Sequence, residues 1–287
     1  MSALAGSRGL AGHPERRRTR RVARAIGRSL GTALLVFWIL FPIYLLTIST
    51  FSSPSAIYQY PLSLFPKLSF ATMRFFLNSE GVVSALLRSL AVAAISSALA
   101  MLVGSAAGYA IARHVFRGRD SYRVTIVSTR AFPVVVLSIP LAVFFLQLGI
   151  YDTIWAVAFM HTALALPFVV LITSGVFASV PADLEAAAQV FGCSRIRAFI
   201  RVVVPLVIPG LAAAAIFAVL TSYNEVFAAS VLTLQHPTLP ALVLNALDIS
   251  PQPFKYAAAF LLMAPTFLFI LLVRRYIFSL GSAQARL

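Results

Sequence analysis

The chain has 287 residues, of which 60% are hydrophobic and only 11% are charged. Soluble domains carry about a quarter charged residues, so this composition excludes a globule surrounded by water alone. Apolar runs of about 20 residues indicate helices that span a bilayer, and these runs lack the apolar–polar alternation of spanning β-strands. The composition therefore predicts an all-α polytopic membrane protein.

The net charge of +15 is concentrated in four segments. Eighteen of the 23 basic residues lie before residue 29, between 113 and 123, between 195 and 201, and after 273. Such a bias marks the cytoplasmic loops of membrane proteins. Topology thus explains the charge, which gives no reason to predict a nucleic acid partner, and both termini are predicted to be cytoplasmic.

The predicted elements begin with an Arg-rich tail, residues 1–28, which is expected to be disordered or interfacial and able to contact membrane lipid. Six spanning helices are predicted over residues 30–49, 85–113, 124–148, 153–180, 205–232 and 256–273. The first is interpreted as a retained anchor rather than a secretory signal peptide, because its apolar run is too long and no small-residue cleavage site follows. Residues 281–287 form a short cytoplasmic tail.

The small residues Gly104 and Gly108 predict that the second helix lies inside the bundle, because small residues let helices approach closely in lipid. Pro133 and Pro140 interrupt the third predicted helix. The lone Cys193 excludes an internal disulfide and offers no metal-ligand spacing. We expect it to be a small buried residue.

The segment between the fourth and fifth predicted helices, residues 181–204, is polar enough to lie in water. Asp183 and Glu185 fall in the first turn of a short helix, where acidic groups favour the helix dipole. Val190 and Phe191 give that helix an apolar side. Physical reasoning weights two functions equally: docking in a groove of a soluble partner, or lying on lipid headgroups.

A turn and a basic run complete this segment. Gly192 lets the chain turn without a steric penalty. Three arginines follow before Pro205 opens the next helix: Arg195, Arg197 and Arg201.

This segment resembles the EAA loop of ABC-importer permeases, whose pattern is Glu-Ala-Ala, three residues, Gly, nine residues, then an aliphatic residue, any residue, an aliphatic residue and Pro. The chain has Glu185-Ala186-Ala187, then Gly192, then Val202-Val203-Val204-Pro205. Many sugar-importer members have Asp before the glycine, where Phe191 stands here.

The resemblance extends over about residues 30–280 and is closest to the second permease subunit of maltose-type sugar importers. The matching segments are residues 108–113, Phe116 and Gly118, residues 130–133, 139–140, 148–153 and 166–168, and Tyr223-Asn224-Glu225.

The resemblance implies a six-helix permease domain over residues 29–280 with a coupling loop at 181–204. A coupling helix there would dock in a cleft of a cytosolic ATPase through Asp183, Glu185, Ala186, Ala187, Val190, Phe191 and Gly192. The implied partners are a second permease subunit, an ATPase dimer that binds ATP and Mg²⁺, an extracytoplasmic substrate-binding protein and a small-molecule sugar. The implied location is the bacterial inner membrane.

Four residues inside predicted spans are candidates for the substrate path: Arg130, Tyr223, Asn224 and Glu225. Intramembrane charges usually face the bundle interior or a cavity. Arg130 could line the path, although a structural role is slightly favoured. Glu225 could face the sugar or brace the fifth helix against the partner, with equal weight. His161 is interpreted as a satisfied core histidine rather than a ligand.

Two other functions are weighed against import. An ion-coupled secondary transporter would need several buried ionisable groups or repeat-related broken helices, and only Glu225 and Arg130 offer themselves. An intramembrane enzyme would need clustered ligands or an activated nucleophile. The sequence contains no P-loop, so an ATP-driven importer would need its ATPase on another chain, with no cofactor on this one.

Overall fold

A computed structural model describes residues 14–59 and 63–284, with side chains described for 25–59 and 63–271. Residues 1–13 of the predicted tail and residues 285–287 therefore lie outside the described residues. The first helix begins at Pro14, rather than near residue 30, and ends at Thr50. The part of the predicted tail from Pro14 onward is therefore helical. The last helix likewise runs to Gln284, past the predicted end at residue 273.

The described residues form helices and no strands beyond one isolated bridge between Ser52 and Leu68. In chain order the helices are α1 Pro14–Thr50, α2 Pro54–Ile57, α3 Ala71–Asn78, α4 Val82–Arg113, α5 Arg119–Ser128, α6 Val134–Gln147, α7 Ile154–Ala178, α8 Ala182–Val190, α9 Arg195–Ala198, α10 Val204–Tyr223, α11 Phe227–Leu232, α12 Leu239–Ala246 and α13 Gln252–Gln284.

Five stretches of the described chain are long and apolar enough to cross a membrane. They are Ala25–Thr50, Val82–Arg113, Ile154–Ala178, Arg195–Tyr223 and Gln252–Leu271. A sixth span requires α5 and α6 to act together, although the two are bent by 88°. The all-α membrane class is confirmed, and the count of six becomes a proposal.

The third predicted helix, residues 124–148, is interrupted at Pro133 as the sequence predicts. Phe132 is extended (φ −76°, ψ 126°) and separates the 3₁₀ turn Thr129–Ala131 from α6. A residue before proline is disfavoured in the helical region, so Pro133 explains the position of the bend. The predicted interruption at Pro140 is wrong, because Pro140 lies inside the continuous helix α6.

The fifth predicted helix, residues 205–232, is also shorter than expected. α10 ends at Tyr223, and α11 follows after a break at residues 224–226. The helices on both sides of this break, α10 and α11, are apolar, while the break itself contains the polar residues Asn224 and Glu225. The break lies inside the span predicted over residues 205–232.

The centre of the bundle is formed by α4, α7 and α10. A Cβ added to Gly104 would stand 2.7 Å from Val169 Cγ1, and one added to Gly108 would stand 2.9 Å from the Ser174 backbone nitrogen. The prediction that α4 lies inside the bundle is confirmed, since these glycines let α4 and α7 approach closely.

The two ends of the bundle differ in charge. We call the end that holds Arg113 and residues 181–204 the basic end, and the end that holds Asp152 the opposite end. At the opposite end, three backbone amides of residues 234–236 donate hydrogen bonds of 2.7–3.2 Å to the Asp152 carboxylate. The His236 ring lies 3.0 Å from the same carboxylate. These contacts tie the α6–α7 turn to the segment after α11.

Candidate functional site

The segment at residues 181–204 has the three predicted parts. α8 is a nine-residue helix with Asp183 and Glu185 in its first turn. Gly192 has φ +88°, in the left-handed region where glycine alone is free of steric cost. The Ser194 hydroxyl accepts from the Arg197 amide at 3.3 Å and begins α9, which passes through a π-helical turn into α10.

Glu185 faces the bundle. Its carboxylate accepts a hydrogen bond of 2.5 Å from the Tyr109 hydroxyl and lies 3.3 Å from Arg113 Nε. Arg113 also donates from Nη1 to the Val180 carbonyl at 2.8 Å. The ion pair is nearly buried, with 10% of the Arg113 side chain and 11% of the Glu185 side chain exposed. α8 is thereby fixed to the end of α4.

An aromatic cluster supports the same junction. The Tyr109 ring packs edge-on against Phe199, with centroids 4.7 Å apart, and against Phe177 at 5.3 Å. Phe177, Val203 and Val207 are buried beside them. The start of α10, the end of α7 and the end of α4 therefore hold the loop together.

The sequence interpretation of the loop needs one correction in spacing. Four residues, 188–191, separate Ala187 from Gly192, whereas the family pattern has three. The triplet that keeps the family spacing is Ala186-Ala187-Ala188, and Glu185 stands one position before it. One position on a helix is a rotation of about 100°, which is the difference between facing a partner and facing the bundle.

The other side of the loop is exposed and apolar. Val190 is 85% exposed and Phe191 is 89% exposed. Leu184 is also exposed, as are Asp183, Ala186 and Ala187. We call Leu184, Val190 and Phe191 the apolar tip. An apolar cluster of this kind on the outside of a protein marks an interaction site.

A cavity of about 800 Å³ separates α8 and α9 from α4. We call it the loop cleft. Its basic and polar lining includes Arg113, His114, Gln189 and Arg195, and its apolar wall includes Phe177 and Phe199.

The four path candidates occupy different environments. Tyr223 is buried, and its hydroxyl donates to the Leu261 carbonyl at 3.2 Å. Asn224 is exposed at the end of α10 and lies 3.4 Å from the Thr266 hydroxyl. The Arg130 guanidinium donates to the Leu164 carbonyl at 2.7 Å and lies 4.5 Å above the Phe168 ring.

Glu225 has several partners within the chain. Its carboxylate accepts from the amides of Ala228 at 2.9 Å and Ala229 at 3.0 Å, at the start of α11. It also lies 3.2 Å from His161 Nε2, while His161 Nδ1 lies 2.8 Å from the Ser222 hydroxyl. His161 is the satisfied core histidine that the sequence predicts, and Glu225 is its partner across the helix break.

Sequence reasoning missed the roles of Tyr109 and Arg113. Both lie in the matching segment 108–113, which was used for the resemblance only. The available signal was the basic residue Arg113 at the end of α4 together with the two acids, Asp183 and Glu185, in the loop at the same end of the bundle. Within the described parts of the chain, no group of three or more His, Cys, Asp or Glu side chains could hold a metal ion.

The comparisons with known proteins identify the family. The family described as "Binding-protein-dependent transport system inner membrane component" matches residues 100–280, most of the chain. The chain belongs to this family. Its match begins inside α4 and includes α8, α9 and both helix breaks.

Two relatives support this family assignment, and a solved structure has the same fold. The chain is 31% identical to the sulfoquinovosyl glycerol transport system permease protein SmoH of Agrobacterium fabrum, over 69% of this chain and 70% of that protein. It is 30% identical to the trehalose transport system permease protein SugB of Mycobacterium tuberculosis, over 68% and 73%. A bacterial ABC transporter that imports the acidic polysaccharide alginate has a chain of the same fold, with a TM-score of 0.73, 18% identity and coverage of 94% and 99%.

The family decides between the functions that the sequence left open. Members are inner-membrane components of binding-protein-dependent transport systems, so the chain is an ABC-importer permease. The hypotheses of an ion-coupled secondary transporter and of an intramembrane enzyme are not supported.

Proposed function

We propose that this chain is one of the permease subunits of a binding-protein-dependent ABC importer for a carbohydrate. The relatives named for sulfoquinovosyl glycerol and trehalose support a sugar as substrate. The importer would contain a second permease subunit, an ATPase dimer that binds ATP and Mg²⁺, and an extracytoplasmic substrate-binding protein. The basic end would face the cytoplasm, as the positive-inside bias predicts.

The observation that carries the mechanism is the two-sided loop. Its inner side is fixed to α4 by the Glu185–Arg113 ion pair and the Tyr109 hydrogen bond, and its outer side presents the apolar tip. A surface that binds an ATPase on one side and is tied to a span on the other can pass a displacement into the membrane. Asp183, Ala186, Ala187, Val190 and Phe191 would contact the ATPase.

This arrangement divides the predicted coupling residues into two roles. Glu185 would not contact the ATPase, because its carboxylate is occupied by Tyr109 and Arg113. It would instead transmit movement from α8 to α4. Gly192 would fix the angle between α8 and α9.

The path candidates divide in the same way. Asn224 and Arg130 are exposed, so sugar hydroxyls would be able to reach their polar atoms. Tyr223 and the Glu225 side chain are buried or nearly so and are bonded within the chain, so they would hold the helices in place. The bend at Phe132–Pro133 and the break at residues 224–226 are consistent with a path here, because non-helical backbone at membrane depth is tolerated where it is buried in protein or lines a water-filled cavity.

The coupling proposal is tested by Gly192→Val with Gly118→Val as its matched control. Both glycines have φ +88° with open space around the position of a Cβ, so both variants carry the same backbone strain, about 1–2 kcal/mol. Only Gly192 lies in the loop. Each variant is assembled with its partner permease, ATPase and binding protein in proteoliposomes, and sugar uptake and ATPase stimulation are measured.

We expect Gly192→Val to insert normally and to lose most uptake and stimulation, while Gly118→Val retains both. Equal retention of uptake in the two variants would contradict the coupling role of the loop. Replacing the binding protein's sugar with a panel of disaccharides, polyols and acidic sugars then identifies the substrate.

A further inference from the structure

The loop cleft contains a basic residue whose hydrogen-bonding capacity is not used. Arg113 lines the cleft and is nine-tenths buried, and its Nη2 atom finds no acceptor among the described residues. A buried donor without a partner costs free energy of about 1–3 kcal/mol. This atom is itself closed to solvent, so the cleft offers an incoming group the charge of Arg113 rather than a direct hydrogen bond from Nη2.

The charge of the cleft favours an anion as this group. Two guanidinium groups, Arg113 and Arg195, line it against one acid, Glu185, which is paired with Arg113, so the positive charge of Arg195 is in excess. Guanidinium groups bind phosphate and carboxylate oxygens more strongly than neutral acceptors.

The shape of the cleft indicates which kind of anion it would bind. On α4 its lining runs from Arg113 back to Ser105, eight residues or about 12 Å along the helix axis and into the spanning part. Phe177, Ile196 and Phe199 make the wall apolar. A free anion gains nothing from an apolar wall, whereas an amphiphile fills both parts.

We propose that the loop cleft binds an anionic phospholipid of the leaflet at the basic end. Its phosphate faces Arg113 and Arg195, and the glycerol and first acyl carbons lie against the aromatic wall. Basic pockets between spanning helices on the cytoplasmic side are suited to such headgroups. A lipid held between α4 and the two arms of the loop would stiffen the junction that carries Glu185, so the membrane composition would tune the loop.

The proposal is tested with the full-length chain, delipidated in detergent and titrated with phosphatidylglycerol or phosphatidylcholine, with bound lipid counted by native mass spectrometry. Arg195→Gln removes one cation from the cleft. Arg197→Gln is its matched control, since Arg197 stands on the same short helix but does not line the cleft. Ala106→Trp fills the cleft without changing its charge.

We expect the wild-type chain and Arg197→Gln to hold one phosphatidylglycerol that phosphatidylcholine does not replace. Arg195→Gln should weaken this binding about tenfold, which is 1.4 kcal/mol, and Ala106→Trp should abolish it. Equal binding by all four proteins would overturn the proposal.

Two further arms distinguish the source of the anion. Excess inorganic phosphate should leave the lipid bound, and displacement would mean a site for a free anion. Adding the ATPase subunit should also leave the lipid bound, and displacement would mean that an acidic group of a protein is the occupant. The lipid assay needs neither sugar nor ATP hydrolysis, so it can fail while the coupling proposal stands.

Discussion

At the scale of single residues, two acids in the first turn of α8 have opposite surroundings. Asp183 is exposed, whereas Glu185 is buried against Tyr109 and Arg113. Their positions two residues apart place them on different sides of the helix, about 200° from each other. A change of charge at the two positions should therefore have different physical consequences.

We predict that Glu185→Lys destabilises the chain and Asp183→Lys does not. The first leaves Arg113 without its partner and adds a like charge, which costs about 3 kcal/mol for a nearly buried pair. The second changes an exposed group at a helix start, which costs under about 1 kcal/mol. Thermal unfolding of both variants in detergent provides the measurement, and a similar melting temperature for the two would contradict the buried role of Glu185.

The sequence predicts the local features of this site but not its long-range contacts. Polarity predicts that residues 181–204 leave the membrane, and glycine predicts the turn at 192. The orientation of Glu185 is set by two residues on α4, more than 70 positions earlier in the chain. Such a contact leaves no trace in local spacing, so the residue was found while its role was not.

At the scale of elements, the segment after α11 is held by one carboxylate. Burial raises the pKa of the Asp152 carboxyl, but hydrogen bonds from Leu234, His236 and Gln235 outweigh it and hold the pKa below its ordinary value. Asp152 also has φ +59°, a conformation that Asn tolerates. Asp152→Asn therefore removes the charge without straining the backbone.

We predict that Asp152→Asn lowers the free energy of unfolding by about 1.5–3 kcal/mol at neutral pH, the usual worth of a hydrogen bond to a charged group. The folded-state pKa is lower than the unfolded one, so the stabilisation is complete above the unfolded pKa, about 3.9. It is lost as pH falls through the folded pKa. The difference between wild type and variant should be constant from about pH 8 to 5 and shrink below about pH 4.

The measurement is a series of melting temperatures against pH, repeated in a His236→Asn background so that the imidazole does not contribute. Asp248→Asn, in the exposed segment between α12 and α13, serves as control and should show no difference. A difference for Asp152→Asn that grows as the pH falls would have the wrong sign and would refute this assignment.

The break between α10 and α11 gives a second prediction for an element. Glu225→Ala removes the acceptor of the Ala228 and Ala229 amides and the partner of His161, so it should destabilise the chain by about 1–3 kcal/mol. Asn224→Ala, the adjacent exposed position, should leave stability unchanged and raise the KM of uptake. Melting temperatures and uptake kinetics separate the two effects, and an unchanged melting temperature for Glu225→Ala would contradict the capping role.

The apolar pattern of the sequence predicts the ranges of continuous helices better than it predicts the breaks within them. α4 and α7 follow their predicted ranges closely, because each is one continuous apolar run. The bend before α6 occurs at Pro133, where the sequence predicts an interruption. The break before α11 was not predicted, although the polar residues Asn224 and Glu225 stand there. It depends on the Glu225 side chain, which accepts hydrogen bonds from two backbone amides of α11.

At the scale of the whole molecule, α1 stands apart from the central helices. None of the stretch Ala25–Thr50 is buried in its most apolar window, and Trp38 is 79% exposed. A span with so little contact inside its own chain is covered by lipid or by the second permease subunit. Composition predicts that such a helix exists, whereas its placement depends on a surface outside this sequence.

The orientation of the molecule can be tested with the chain's single cysteine. Cys193 lies in the loop next to Gly192 and is partly exposed. If the basic end faces the cytoplasm, a membrane-impermeant maleimide should label it in inverted vesicles and not in right-side-out ones. In a Cys193→Ser background, Asp248→Cys at the opposite end should show the reverse pattern.

Adding the ATPase subunit should slow the labelling of Cys193, because the apolar tip beside it would then be covered. Labelling of Cys193 from the outside would refute the orientation, and labelling unaffected by the ATPase would place the docking surface elsewhere.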